Sequence, residues 1–183
     1  MLEEFGILDS SSEGLRKIAR AETRYAKDLK ANVERALNNT ELSPKESAFI
    51  GLSVSVNDRS NSGIELFTAL SKKHGATDDE IAEVYSCTSL LAMNNVFYKF
   101  RHMMVDKEFY SKSPAGIKMS VVGKPILGKA FFELLSLVVS ALNGCEQCVK
   151  SHEKSALQHG CSEIRVYEAI KSASIIRGLI VLL

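Results

Sequence analysis

Between Glu133 and His152 the chain reads E-L-L-S-L-V-V-S-A-L-N-G-C-E-Q-C-V-K-S-H, bringing a carboxylate, two thiols and an imidazole into one short stretch. Two cysteines separated by two residues form a redox pair or half of a metal site. Cys145 and Cys148 are three apart and Cys148 and His152 four apart, so on a helix all three point to one face. A thiol in the first turn of a helix feels the positive end of the dipole, which favours the thiolate. A neutral imidazole one turn below Cys148 is placed to take its proton. Cys148 is therefore the candidate base-assisted nucleophile, and Cys145 is expected to be its more exposed partner.

The elements that position these groups follow from the same stretch. Phe131 to Leu142 is almost wholly apolar, too short to span a bilayer, and ended by Asn143-Gly144, a helix C-terminal signal. A second helix is expected from about Cys145. Glu133 lies 145 − 133 = 12 residues before it, about 18 Å along the first helix from the turn, and His152 lies about 10 Å down the second. If the two helices fold back antiparallel, Glu133 meets His152 before it meets a sulfur. The expected order is carboxylate, imidazole, thiol, directly or through a water.

Rival chemistries fit less well. A zinc knuckle requires a histidine five residues after the second cysteine and a fourth ligand soon after; the histidine here comes at four, and only Cys161 or His159 remains to complete a tetrahedron. Covalent haem attachment requires His directly after the second cysteine, where Val149 stands. A thioredoxin-type pair requires a βαβ scaffold, and no strand alternation is present. Cys87, within Y-S-C-T-S-L-L-A, reads as a small buried hydrophobe.

The pattern E-x(11)-C-x-x-C-x(3)-H, entered through G-K-A-F-F-E and followed by E-K-S-A-L-Q-H-G, resembles the signature of the alkylhydroperoxidase D family in the carboxymuconolactone decarboxylase-like superfamily. Y-A-K-D-L-K at Tyr25 to Lys30 and M-N-N-V-F-Y-K-F-R at Met93 to Arg101 extend the likeness over most of the chain. The resemblance implies a thiol peroxidase for organic hydroperoxides that uses no metal, flavin or haem cofactor. Within it Cys148 matches the cysteine that becomes a sulfenic acid, Cys145 its resolving partner and proton donor, and Glu133 and His152 the relay that deprotonates the attacking thiol. It also implies a dihydrolipoamide-bearing reductant protein, a peroxiredoxin as a further electron acceptor, and a homotrimer. The family pattern has a histidine just before the second cysteine; Gln147 stands there, and Glu146 adds a charge that opposes thiolate formation. A second function class is thus an adaptor that exchanges disulfides with a peroxiredoxin and scarcely touches peroxide. The superfamily's decarboxylase chemistry has no use for paired thiols.

The whole chain sets the bounds. Its 183 residues, 45% apolar, suit one domain or two small halves. A formal net charge of +1 with no basic stripe leaves no footprint for nucleic acid. The opening M-L-E-E-F-G-I-L-D-S is acidic and does not read as a secretory signal, and no stretch reads as a membrane span. Four unevenly spaced cysteines do not make a disulfide scaffold; a reducing, cytoplasmic setting fits them.

The expected fold class is all-α, two related helical repeats in a single domain, with halves over about 1–110 and 128–183 and an irregular connector over 111–127. Leu15 to Ala36 reads as one amphipathic helix ending at Asn38-Asn39. Ser43-Pro44-Lys45-Glu46 is a capping box that opens an apolar helix through Val56, the next helix closes near His74-Gly75, and Thr77 to Glu80 caps another through Met93. An internal repeat aligns Glu46 with Glu133, and T-A-L-S-K-K-H-G with K-S-A-L-Q-H-G once a two-residue difference is allowed. That alignment places Asp58, Asn61 and Glu65 at the positions of Cys145, Cys148 and His152, and makes the first copy a scaffold without thiols. Asn94, Asn95, Phe97 and Tyr98 are expected at a subunit contact or in the pocket.

Overall fold

Side chains that accept hydrogen bonds from the first free N–H groups start most of the helices. Ser43 and Thr77 do so in full capping boxes with Glu46 and Glu80, as their spacing requires. The structure is a computed structural model that describes residues 12–183; the acidic opening segment lies outside them. The described residues form helices and no strand: α1 (Glu13–Arg20), α2 (Arg24–Leu37), α3 (Pro44–Asn57), α4 (Asn61–Lys73), α5 (Asp78–Met103), α6 (Glu108–Lys112), α7 (Lys129–Leu142), α8 (Glu146–Gln158) and α9 (Glu163–Ile180). A single 3-10 turn, Ser120–Gly123, lies in the connector. None of these helices is long and apolar enough to cross a membrane.

The expected first helix is two. The chain breaks between α1 and α2 at Glu22, whose φ of 47° is left-handed, and Thr23 caps the restart by accepting from the Ala26 N–H. Apolar spacing runs through this break, so periodicity alone did not reveal it. α5 continues ten residues beyond Met93 to Met103, because nothing between Asn94 and Met103 breaks a helix. Of the connector over 111–127, Ser111 and Lys112 end α6 and Ser120–Gly123 form the 3-10 turn, and the remainder holds no helix.

Two helices are buried on every side. Ser47 to Ser55 in α3 and Phe131 to Ser140 in α7 are buried without interruption, the signature of a central helix rather than an amphipathic surface one. Each pairs with the helix after it, α3 with α4 and α7 with α8, and the next helices cross over: α5 packs on α7 as well as α3, and α9 on α3 as well as α7. One apolar cluster consequently draws on α3, α4, α5, α7, α8 and α9, from Phe49 and Phe67 to Phe132, Ala156 and Ile176. Leu15, Leu29, Val33 and Leu179 form a second, smaller one where α1 and α2 cover α9.

The helix boundaries also fix the register of the repeat. Pro44, Asn61 and Asp78 open α3, α4 and α5, and Lys129, Glu146 and Glu163 open α7, α8 and α9, 85 residues further on in each case (129 − 44, 146 − 61, 163 − 78). No two-residue difference is needed. Matching Glu46 to Glu133 by identity was misleading, since Glu46 is a first-turn capping residue and Glu133 sits a full turn into its helix. In the structural register Ser60, Gly63 and Phe67 stand where the second copy has Cys145, Cys148 and His152, Gly51 stands at Ser136, and Ala48 at Glu133.

The Phe67 ring lies against Gly51, where an added Cβ would stand 2.2 Å from it, and Phe67 is 1% exposed. Gly51→Ala is expected to lower the free energy of unfolding by about 1–3 kcal/mol through overpacking. Chemical denaturation measures it, and an unchanged midpoint would contradict the packing described.

Candidate active site

The turn between α7 and α8 decides where the two sulfurs go. α7 ends in a Schellman motif: the Gly144 N–H donates to the Ala141 carbonyl and the Cys145 N–H to the Ser140 carbonyl at 3.0 Å, with Gly144 at φ 65°. Cys145 is at once the last residue of this motif and the N-cap of α8. It is 0% exposed, and the expectation of a more exposed Cys145 is therefore corrected. Cys148, in the first turn of α8, is the sulfur that reaches a surface, at 7% exposure. The two are joined in a disulfide.

α5 grips this turn from the part that extends past Met93. Asn95 donates from Nδ2 to Ser140 Oγ at 3.1 Å and accepts at Oδ1 from Asn143 Nδ2 at 3.0 Å, while Lys99 Nζ donates to the Asn143 carbonyl at 3.2 Å. Asn95 is thus a clamp on the turn, and its neighbour Asn94 lines the pocket. Both belong to the stretch whose role the sequence left open.

Cys148 opens on a cavity of about 510 Å³ between α5, α7, α8 and the connector. Its walls include Leu91, Asn94, Tyr98, Met119 and Phe132, and Gln147, Ser151 and His152 line it beside the sulfur. The lining is mostly apolar, and the volume suits a small organic molecule. The connector, which gives Met119 and Val122 to this lining, is tied down by Glu83 of α5, a buried carboxylate that accepts from the Ile126 and Leu127 N–H groups at 2.7 and 2.6 Å. Nothing in the sequence around Glu83 marks it for this task, because its partners are backbone groups more than forty residues away.

Glu133 and His152 meet as expected. His152 Nδ1 lies 2.7 Å from Glu133 Oε2, and on its other side Lys129 Nζ lies 2.7 Å from Oε1. Lys129 also donates to the Val122 carbonyl at 2.9 Å. Burial alone would push the Glu133 carboxyl up; hydrogen bonds from His152 and Lys129, reinforced by their charges, outweigh it and hold the group down at about 2. An ionised carboxylate only accepts, so the bonded Nδ1 of His152 carries a hydrogen, and in the neutral ring Nε2 is left with its lone pair. Lys129 was not among the residues singled out from the sequence, although its i,i+4 spacing to Glu133 in G-K-A-F-F-E is visible there. Cys87 is buried, and desolvation pushes its thiol up to about 12, against a contact with Ser136 Oγ at 3.5 Å. Among the described residues no three His, Cys, Asp or Glu side chains converge as metal ligands.

Residues 111–182 match the carboxymuconolactone decarboxylase family. The chain is 34% identical over 159 residues to the alkyl hydroperoxide reductase AhpD of Coxiella burnetii (strain RSA 493 / Nine Mile phase I), an alignment covering 85% of this chain and 88% of that one. It is 36% identical over 154 residues to the protein of that name from Anaeromyxobacter dehalogenans (strain 2CP-1 / ATCC BAA-258), covering 84% and 81%. With the one from Corynebacterium kroppenstedtii it shares 33% identity over 172 residues, covering 94% and 93%.

The lowered Glu133 pKa fixes the sign of an acid effect. A group depressed below its unfolded value of 4.5 stabilises the fold above that pH, and the contribution is lost as pH falls towards about 2. The stability gap between the wild type and Glu133→Gln is expected to narrow over that window. Urea denaturation at a series of pH values reads it, and a constant gap would mean that Glu133 is not held ionised.

Proposed function

Because the chain belongs to the alkyl hydroperoxide reductase AhpD family, we propose that it is a thiol peroxidase that reduces organic hydroperoxides through Cys148 and Cys145. The observation that supports this reading most is the placing of Cys148 alone, of the two sulfurs, on a largely apolar cavity whose wall also carries His152. In the reduced protein His152 Nε2 takes the Cys148 proton, and Glu133 stabilises the imidazolium that results. The thiolate attacks the terminal oxygen of the hydroperoxide; two electrons pass from sulfur, the O–O bond breaks, and the alkoxide takes the proton held by His152. Alcohol leaves and Cys148 remains as a sulfenic acid. The Cys145 thiol then condenses with it, forming the disulfide and releasing water.

Burial of Cys145 has a consequence for re-reduction. A donor thiolate meets the Cys148 sulfur, forms a mixed disulfide with it and releases Cys145; the donor's second thiol then frees Cys148. A dithiol suits this sequence, and the family resemblance makes the donor a dihydrolipoamide-bearing protein, with a peroxiredoxin as a further partner and a homotrimer as the assembly.

Gln147 on the cavity wall, where the family pattern has an imidazole, favours a second reading as a disulfide-exchange adaptor. Peroxide consumption with reduced lipoyl carrier, measured with and without a peroxiredoxin, separates the two: the adaptor turns over only when the peroxiredoxin is present. Cys148→Ser is expected to abolish peroxide turnover while the helical circular dichroism spectrum is unchanged, and mass spectrometry of peroxide-treated Cys145→Ser is expected to find sulfenic acid on Cys148. Full turnover by Cys148→Ser would end the assignment.

A further inference from the structure

Of the polar side chains on the cavity wall that the mechanism above does not use, Asn94 is the one with a buried atom left unpaired. Asn94, on α5, is 7% exposed, and its Oδ1 is buried with no hydrogen-bond partner. Its Nδ2 is turned towards Met119 Sδ, 3.0 Å away on the connector, and a thioether is a weak acceptor. A buried amide in this condition is costly unless something binds it. The Ser47 and Thr68 hydroxyls are also buried without partners, but neither lines the cavity.

The chemistry of the missing partner follows from the amide itself. A primary amide presents an acceptor and a donor side by side. A hydroperoxide, R–O–O–H, presents a donor on its terminal oxygen and an acceptor on the oxygen that carries the alkyl group. We propose that Asn94 binds the substrate: Oδ1 accepts from the hydroperoxide O–H, and Nδ2, released from Met119, donates to the alkyl-bearing oxygen. The apolar walls at Leu90, Leu91, Val122 and Phe132 take the hydrocarbon.

This assignment rests on the peroxidase reading and adds a selectivity to it. When the Cys148 thiolate bonds to the terminal oxygen and the O–O bond breaks, negative charge gathers on the alkyl-bearing oxygen before the proton from His152 reaches it. The Nδ2 hydrogen bond strengthens at that moment, so it lowers the barrier rather than merely tightening binding. The terminal oxygen and its hydrogen leave as the Cys148 sulfenic acid, and the alkyl-bearing oxygen leaves as the alcohol. A dialkyl peroxide has no O–H and would leave Oδ1 unpaired.

The test compares reduced full-length wild type with Asn94→Leu, a change that keeps the number and branching of side-chain heavy atoms and removes both polar groups. Oxidation by cumene hydroperoxide is followed by stopped flow, and alkylation of Cys148 by iodoacetamide, which needs the thiolate but no contact with an O–O bond, is followed in parallel. The rate constant for the hydroperoxide is expected to fall on the order of 10- to 100-fold, with the alkylation rate held within about twofold. An unchanged hydroperoxide rate overturns the proposal, and so does an equal fall in both rates, which would mean that Asn94 acts only on packing. Should the Leu variant not fold, Asn94→Ala, which only removes atoms, is read in the same way. A reduced wild type that cumene hydroperoxide does not oxidise overturns the peroxidase reading instead; an active wild type matched by its Asn94 variant overturns this one alone.

Discussion

Glu133 is an ionised carboxylate set among ten consecutive buried residues of a largely apolar helix, and the geometry of the site follows from what that charge requires. A buried charge persists only when paired and hydrogen-bonded. Lys129 supplies one partner from the preceding turn of α7, and His152 supplies the other from α8. The second pairing spans two helices, so it ties their relative register to a specific contact. With His152 held opposite Glu133, Cys148 one turn above it is carried to the cavity wall. Lys129 extends the same network to the Val122 carbonyl, so the connector over the cavity is fastened to the group that orients the imidazole.

The two sulfurs differ because of backbone geometry rather than their own chemistry. Gly144 admits the left-handed conformation that closes the Schellman motif, and the motif turns Cys145 inward. Cys148 lies beyond it, on the helix proper. Asn95 and Lys99 hold the turn from α5, which makes the ten residues of that helix past Met93 part of the site's support. The pair is thus presented with one face to a guest and the other to the core.

Much of this was legible in the sequence because it rests on local rules. The all-α class, the capping boxes at Ser43 and Thr77, the end of α7 at Asn143-Gly144 and the meeting of Glu133 with His152 each follow from spacing within a helix or one hairpin. What was not legible depends on contacts distant in sequence. The burial of Cys145 needs the neighbouring helices, and Glu83 takes its meaning from backbone N–H groups of the connector. The break at Glu22 is a backbone conformation that apolar periodicity passes over. The repeat was visible, but its register was not, since a chance identity of two glutamates with different tasks outweighed the matching of helix ends.

In that register Phe67 occupies the place of His152, and its ring fills the space against Gly51 where the other hairpin keeps an opening. One half of the molecule is thus plugged by its own side chain and the other left hollow. Trimming the aromatic plug would leave a void with no sulfur at its mouth. The same arrangement of three helices thus yields a chamber in one copy and a sealed, inert joint in the other.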